Sequence, residues 1–220
     1  MFTPRLDILP PQQHRLWPEL DATPNHFTLY GGTAIALRLG HRISVDFDFF
    51  STEPFIPMQL LASLPYLAHA KLRQTAANTL TVSVDRAGPI QLSFFGALRI
   101  GQVEPVERII GSNIKCASLT DLGGMKIAVV TQRAEVKDYL DIHALITQAQ
   151  LSLPTMLSAA SSIYGEQFNP IIALKALSYH DDPGLAQLPQ TIRRDLLTAI
   201  RGVHLNKLPA LNPVRPWITQ

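Results

Sequence analysis

Cysteine is nearly absent from this chain: Cys116 is the only one in 220 residues. A single thiol excludes a disulfide framework and a cysteine-built zinc cluster, and it suits a reducing compartment. No run of about 18 apolar residues occurs, which excludes a membrane-spanning helix. Charged residues are scarce at 16%, while hydrophobic residues reach 46%; that balance excludes intrinsic disorder and describes a globular protein. The first 24 residues hold five prolines and no apolar stretch, so they do not read as a secretory signal. The histidines show neither H-x-x-x-H nor H-x-H spacing, so none is read as a metal ligand. Excess charge is missing too. With 19 basic and 17 acidic residues the net charge is +2, too little by itself to argue for nucleic acid or membrane.

One absence is local and more informative. Residues 43 to 70 contain no Lys or Arg, yet they hold Asp46, Asp48 and Glu53. Around this gap the chain alternates short strands and helices. His26 to Tyr30 reads as a strand, broken by Gly31-Gly32-Thr33. Ala34 to Leu39 reads as a short helix, stopped by Gly40 at a C′ position. Ser44 to Phe50 reads as a second strand, and Pro57 to Leu67 as a helix. Leu80 to Asp85 and Ile90 to Phe95 read as a hairpin joined by Arg86-Ala87-Gly88-Pro89. Ile114 to Ala117 is a further short strand. From Ser118 onward only helical patterns follow, the first with Ser118 and Asp121 as a weak N-cap signature. Length and pattern together give an α/β (α+β) chain in two parts. A core spans residues 25–117 after an N-terminal extension of residues 1–24, and a helical domain spans residues 118–220.

Val45-Asp46-Phe47-Asp48-Phe49 alternates apolar and acidic residues. Side chains at i and i+2 of a strand share a face, so Asp46 and Asp48 project together with Cβ atoms about 7 Å apart. Val45, Phe47 and Phe49 are then expected in the core. Like charges on one strand face repel, but a divalent cation held between them reverses the sign. Two hard carboxylate ligands suit Mg²⁺, which completes its shell with water and substrate phosphate. The ordinary alternative is a half-exposed strand with two solvated aspartates. Upstream, Gly31 and Gly32 let backbone N–H groups approach a phosphate, and the following helix N-terminus favours an anion.

The run Leu29-Tyr30-Gly31-Gly32-Thr33-Ala34 through Arg42-Ile43-Ser44-Val45-Asp46-Phe47-Asp48-Phe49-Phe50 resembles the AbiEii/AbiGii-type toxin family. These are bacterial nucleotidyltransferases of the DNA polymerase β-like superfamily. A second stretch agrees: Ser118-Leu119-Thr120-Asp121-Leu122-Gly123-Gly124-Met125-Lys126, Gln132-Arg133, and Lys137-Asp138-Tyr139-Leu140-Asp141-Ile142. The resemblance covers residues 27 to about 146. It implies a nucleotidyltransferase-type mixed sheet with flanking helices. It also implies that Gly31, Gly32 and Thr33 hold a triphosphate, that Asp46 and Asp48 ligate Mg²⁺, that Lys126 contacts phosphate, and that Asp138 is the acid of the last motif. The implied activity is Mg²⁺-dependent transfer of a nucleotidyl group from a nucleoside triphosphate to an acceptor, tRNA or another cellular target. The implied setting is a toxin–antitoxin or abortive-infection system in the cytoplasm, with a cognate antitoxin protein as partner and no membrane. One departure stands out: many superfamily members supply a third carboxylate from a later strand, and here Ser93 falls on that strand.

Other residues carry two readings. Arg42, just before the acidic strand, is placed to contact phosphate or RNA; a solvated loop arginine is the alternative. Lys126 shares an apolar helix stripe with Leu122 and Val129, where it either snorkels or faces a cleft. Asp138 and Asp141 share a helix face, and for Asp141 the ordinary alternative is a surface pair with Lys137. Arg193, Arg194, Arg201 and Lys207 cluster on or near one late helix, either as a solvated face or as non-specific phosphate contacts to RNA. Against the enzyme stand two further classes: a nucleotide- or RNA-binding protein of the same fold that has lost catalysis, and a partner-binding domain with no nucleotide role.

Overall fold

The structure is a computed structural model that describes residues 1–216. The chain divides into two compact units. The first comprises residues 1–99 and 106–117; the second comprises residues 100–105 and 118 onward. The proline-rich first residues therefore belong to the first unit's packing. They supply α1 (Pro11–Leu16), which has proline at its start, and buried Leu16, Trp17 and Leu20.

The first unit is built on a mixed sheet. β1 (Thr28–Tyr30) runs into α2 (Gly31–Leu39), then β2 (Asp46–Phe50), α3 (Pro57–Ser63), β3 (Lys71–Ala76), β4 (Thr79–Asp85), β5 (Pro89–Phe95), β6 (Glu107–Arg108) and β7 (Lys115–Cys116). The seven strands lie in the order β3-β4-β5-β2-β1-β7-β6. β2 is therefore central, antiparallel to β1 and parallel to β5. One face of this centre is wholly apolar: Phe47, Phe49, Leu80, Val82, Leu92 and Phe94 have no exposed surface. Phe49 stacks on Phe94 at 5.2 Å between ring centroids. Alternation along β2 and β5 fills this layer and leaves the polar residues on the other side.

Several boundaries differ from the sequence reading. α2 begins at Gly31, so the glycine pair forms the first turn of the helix instead of a loop before it. Gly40 closes the helix in the left-handed region, at φ +67°, as its position suggested. Val45 lies outside β2 and is 46% exposed; the pleat that buries Phe47 and Phe49 starts only at Asp46. The helix expected to reach Leu67 stops at Ser63, before the Pro65 turn. β3 is absent from the sequence reading, since all six of its residues are exposed and it shows no apolar alternation.

The second unit is helical: α4 (Leu119–Val129), α5 (Val136–Thr147), α6 (Leu153–Tyr164), α7 (Pro170–Ser178) and α8 (Gln190–Arg201). Ser118 caps α4 by accepting the Asp121 N–H at 2.9 Å. Gly124 allows α4 and α6 to touch, because a Cβ there would meet the Ala160 nitrogen at 2.8 Å. The segment 100–105 is fastened to this unit by the Asp121 carboxylate, which accepts the N–H groups of Val103 (2.8 Å) and Glu104 (2.9 Å). Burial raises the Asp121 pKa, against the hydrogen bonds from Ser118, Val103 and Glu104 that favour its ionised form.

Candidate active site

In the first unit the acidic strand and the glycine turn are brought together. Asp46 and Asp48 are half-buried on one face of β2, with Phe47 between them on the other. Asp48 is paired with Tyr30 of β1 on one side and with Ser93 of β5 on the other; Asp46 is paired with Gln91. Neighbours in register share a sheet face. The face therefore carries two carboxylates, then the Gln91 amide and the Ser93 hydroxyl, then Thr81 of β4 opposite Ser93.

Chain geometry at Gly31 fixes the contact with Asp48. Tyr30 is still extended, and Gly31 turns into the helix at φ +75°, a conformation natural to glycine. A Cβ on Gly31 would lie 2.6 Å from Asp48 Oδ2. The carboxylate thus sits directly over the first helical residue. The left-handed backbone belongs to Gly31; Gly32 does not share it.

Thr33 is buried. Its hydroxyl lies 2.8 Å from Ser44 Oγ and is hydrogen-bonded to the Asp46 carbonyl. The Thr33 hydroxyl donates towards both oxygens, Ser44 Oγ and the Asp46 carbonyl. Thr33 therefore ties α2 to the entry of the acidic strand. Gln13 secures the same entry from α1, donating from Nε2 to the Val45 carbonyl at 2.8 Å. Arg42 lies in the loop between α2 and β2, where its Nη1 donates to the Ile43 carbonyl at 2.9 Å.

The second unit holds the other two expected residues, and they form a different kind of site. Lys126 on α4 is buried and places Nζ 2.6 Å from Asp138 Oδ1 and 2.7 Å from Asp141 Oδ2, both on α5. Arg133 donates from Nε to Asp138 Oδ2 at 2.9 Å. Asp138 and Asp141 have no exposed surface. Burial pushes the Asp138 carboxyl up, but the Arg133 hydrogen bond and the Lys126 ammonium outweigh it and hold it below its usual range. The sequence left Lys126 either snorkelling or facing a cleft, and left a surface pair with Lys137 as the alternative for Asp141. Lys126 is doubly paired instead, and Lys137 pairs with Glu135 at 2.9 Å. The usable signal was Asp138 and Asp141 at i and i+3, facing a helix whose single cation sits among apolar residues.

Asp46 and Asp48 are the two carboxylates that β2 carries on one face in the first unit. Hard oxygens on one face beside a glycine-lined helix start suit a small divalent ion that also binds phosphate. Among the described residues no group of three or more His, Cys, Asp or Glu side chains gathers as a metal cluster.

Comparison with known proteins follows the same lines. Residues 18–207 match the family described as nucleotidyl transferase AbiEii toxin, type IV toxin–antitoxin system. An uncharacterized protein of Aquifex aeolicus (strain VF5) is 30% identical over 160 residues, 72% of this chain and 75% of that protein. Among solved structures, MenT4, a nucleotidyltransferase toxin from Mycobacterium tuberculosis H37Rv, superposes with a TM-score of 0.58 at 13% identity, over 88% of this chain and 83% of that one. A protein from H. pylori assigned as a nucleotidyltransferase superposes with a TM-score of 0.53 at 17% identity, over 90% of this chain and 95% of that one. At these identities the two structures establish a shared fold.

Proposed function

The chain belongs to the AbiEii family of nucleotidyl transferase toxins of type IV toxin–antitoxin systems, and on that premise we propose a Mg²⁺-dependent transfer reaction. A nucleotidyl group passes from a nucleoside triphosphate to the hydroxyl of an acceptor, tRNA or another cellular RNA. The acceptor oxygen gives up its proton to solvent and bonds to the α-phosphorus, the bond to the bridging oxygen breaks, and pyrophosphate leaves. The observation that carries this reading is the Asp48 carboxylate lying over Gly31, with Asp46 on the same strand face.

The chain's own part is positioning and charge. Asp46 and Asp48 would hold Mg²⁺, which when bound neutralises developing phosphate charge and orients the triphosphate. Gly31 and Gly32 offer their backbone N–H groups to phosphate, and Thr33 keeps that turn fixed against β2. Arg42 is proposed to contact phosphate from the adjoining loop. Little covalent work is asked of the protein, so effective orientation supplies much of the rate. Lys126 and Asp138 enter the proposal as a pair. Their mutual contact supports a role in fixing α4 on α5, and the phosphate role for Lys126 is tested below by its substitution.

A cognate antitoxin is the proposed protein partner, and the cytoplasm is the proposed compartment. No helix among the described residues is long and apolar enough to cross a membrane. One observation favours a second reading, a nucleotide- or RNA-binding protein without turnover: Ser93 is the residue in register with Asp48, where a third carboxylate would add a ligand. Incubation with α-labelled triphosphates, Mg²⁺ and total tRNA separates the two. Label transfer that disappears in Asp46→Asn supports the enzyme; nucleotide binding without any transfer supports the second reading.

A further inference from the structure

The second unit carries a groove that neither the glycine turn nor the Lys126 cluster uses. It lies between the C-terminal end of α7 and the length of α8, has a volume of about 390 Å³, and is lined by Tyr179, His180, Asp181, Arg193, Arg194 and Arg201, among others. α8 contributes its cations by spacing. Arg194, Thr198 and Arg201 recur at i, i+4 and i+7, which places them on one stripe about 10 Å long. Leu196 on another stripe is fully buried and anchors the helix.

The three arginines differ in what their guanidinium groups do. Arg193 is consumed by the fold: it donates to the carbonyls of Leu188 (3.0 Å), Leu185 (2.7 Å) and His180 (3.4 Å). It thereby clamps the loop that forms the groove's far wall. Arg194 is 75% exposed at its side chain and places Nη2 3.4 Å from Oδ1 of its neighbour Asp195. Asp195 is itself engaged by His143 at 3.1 Å. Arg201 is exposed at the last turn of α8. Beside them Tyr179 presents its ring to solvent, 59% exposed. Asp181 is the one acid lining the groove.

Two outward guanidinium groups on a line, next to an open aromatic ring, match the chemistry of a single strand of nucleic acid. Cations track the phosphates and the ring stacks on a base. We propose that this groove binds a single-stranded stretch of the acceptor RNA, with phosphates at Arg194 and Arg201 and a base on Tyr179. The inference rests on the RNA-acceptor reading above and gives that acceptor a place on the chain.

The test is fluorescence anisotropy of the full chain with a labelled 20-nucleotide single-stranded RNA and with total tRNA, from about 50 to 200 mM salt. Arg194→Ala/Arg201→Ala should weaken binding on the order of ten-fold at the low-salt end. It should also lower the slope of log affinity against log salt by about 1.4, two phosphates at roughly 0.7 each for a single strand. Arg194→Lys/Arg201→Lys should keep the slope. Tyr179→Ala should cost about five-fold or more, while Tyr179→Phe keeps the stacking face and the affinity. Lys71→Ala/Arg73→Ala removes the same charge from exposed β3 and controls for net charge. Far-ultraviolet spectra and melting curves confirm that each variant is folded. If the wild-type chain binds RNA and the groove variants match the β3 control, the groove is a solvated face and this proposal is wrong, while the acceptor reading stands. If the wild-type chain binds neither RNA, the acceptor reading falls and takes the groove with it.

Discussion

Two pairs of aspartates in this chain look alike in sequence and behave differently in space. Asp46 and Asp48 stand two apart on a strand; Asp138 and Asp141 stand three apart on a helix. Both spacings put the pair on one face. The helix pair is completely buried and meets Lys126, with Arg133 added at Asp138. The strand pair is half-buried and faces a glycine turn. A buried charge survives in a protein when its own chain satisfies it, and breaking such a pair is costly. The half-buried strand pair is the one proposed above to hold a ligand. The helix pair joins α5 to α4, whereas the strand pair lies half-buried beside a helix start.

The sharpest way to break this comparison is to neutralise one member of each pair. Asp46→Asn should reduce label transfer on the order of 10²-fold or more, in the range found for lost charge stabilisers. Its melting temperature should stay level or rise slightly, because like-charge repulsion on the strand face is relieved. Large loss of stability in Asp46→Asn would place the strand pair with the structural one.

Lys126→Ala should do the reverse. It leaves two carboxylates buried without their shared cation, a cost of about 3–5 kcal/mol, whereas Lys137→Ala on the surface should stay within about 0.5 kcal/mol. Denaturant unfolding measures both. Transfer assayed per folded molecule then tests the phosphate role: activity that falls far beyond the folded fraction would show Lys126 acting on substrate as well as on α5.

A smaller effect is expected at the turn. Gly31→Ala forces an L side chain into the left-handed region, at about 1–2 kcal/mol, and drives its Cβ toward Asp48. Both stability and triphosphate affinity should fall. Gly32→Val, at a position without that backbone requirement, should damage triphosphate affinity more than stability. Equal stability losses at the two positions, by thermal melts, would remove the distinction.

The smallest effect is a pH dependence. Asp138 has its pKa lowered below the ordinary 3.8 in the folded chain, so folding favours its ionised form. The stabilisation is present above the unfolded value and is lost as the pH falls from about 4 through the folded value. A plot of melting temperature against pH should therefore drop less steeply below pH 4 in Asp138→Asn than in the wild type.

Much of this was legible in the sequence, for identifiable reasons. The alternation of β2 announced the burial of Phe47 and Phe49 but extended it wrongly to Val45, which lies before the strand, and Gly40 announced where α2 ends. The start of α2 was misread because glycine usually breaks a helix, while here Gly31 opens one. β3 was invisible because an exposed edge strand needs no apolar alternation. The Lys126 cluster was only half visible. Spacing shows which residues share a helix face, but not which face of another helix they meet, so a surface pair with Lys137 stood as an alternative for Asp141, whose partner Lys126 lies fifteen residues earlier.

The most direct measurement is a calorimetric titration of Mg²⁺ with a non-hydrolysable nucleoside triphosphate into the wild-type chain and into Asp46→Asn/Asp48→Asn. The account predicts Mg²⁺-dependent triphosphate binding in the wild type that is lost in the folded double variant. Equal binding in both proteins would contradict it.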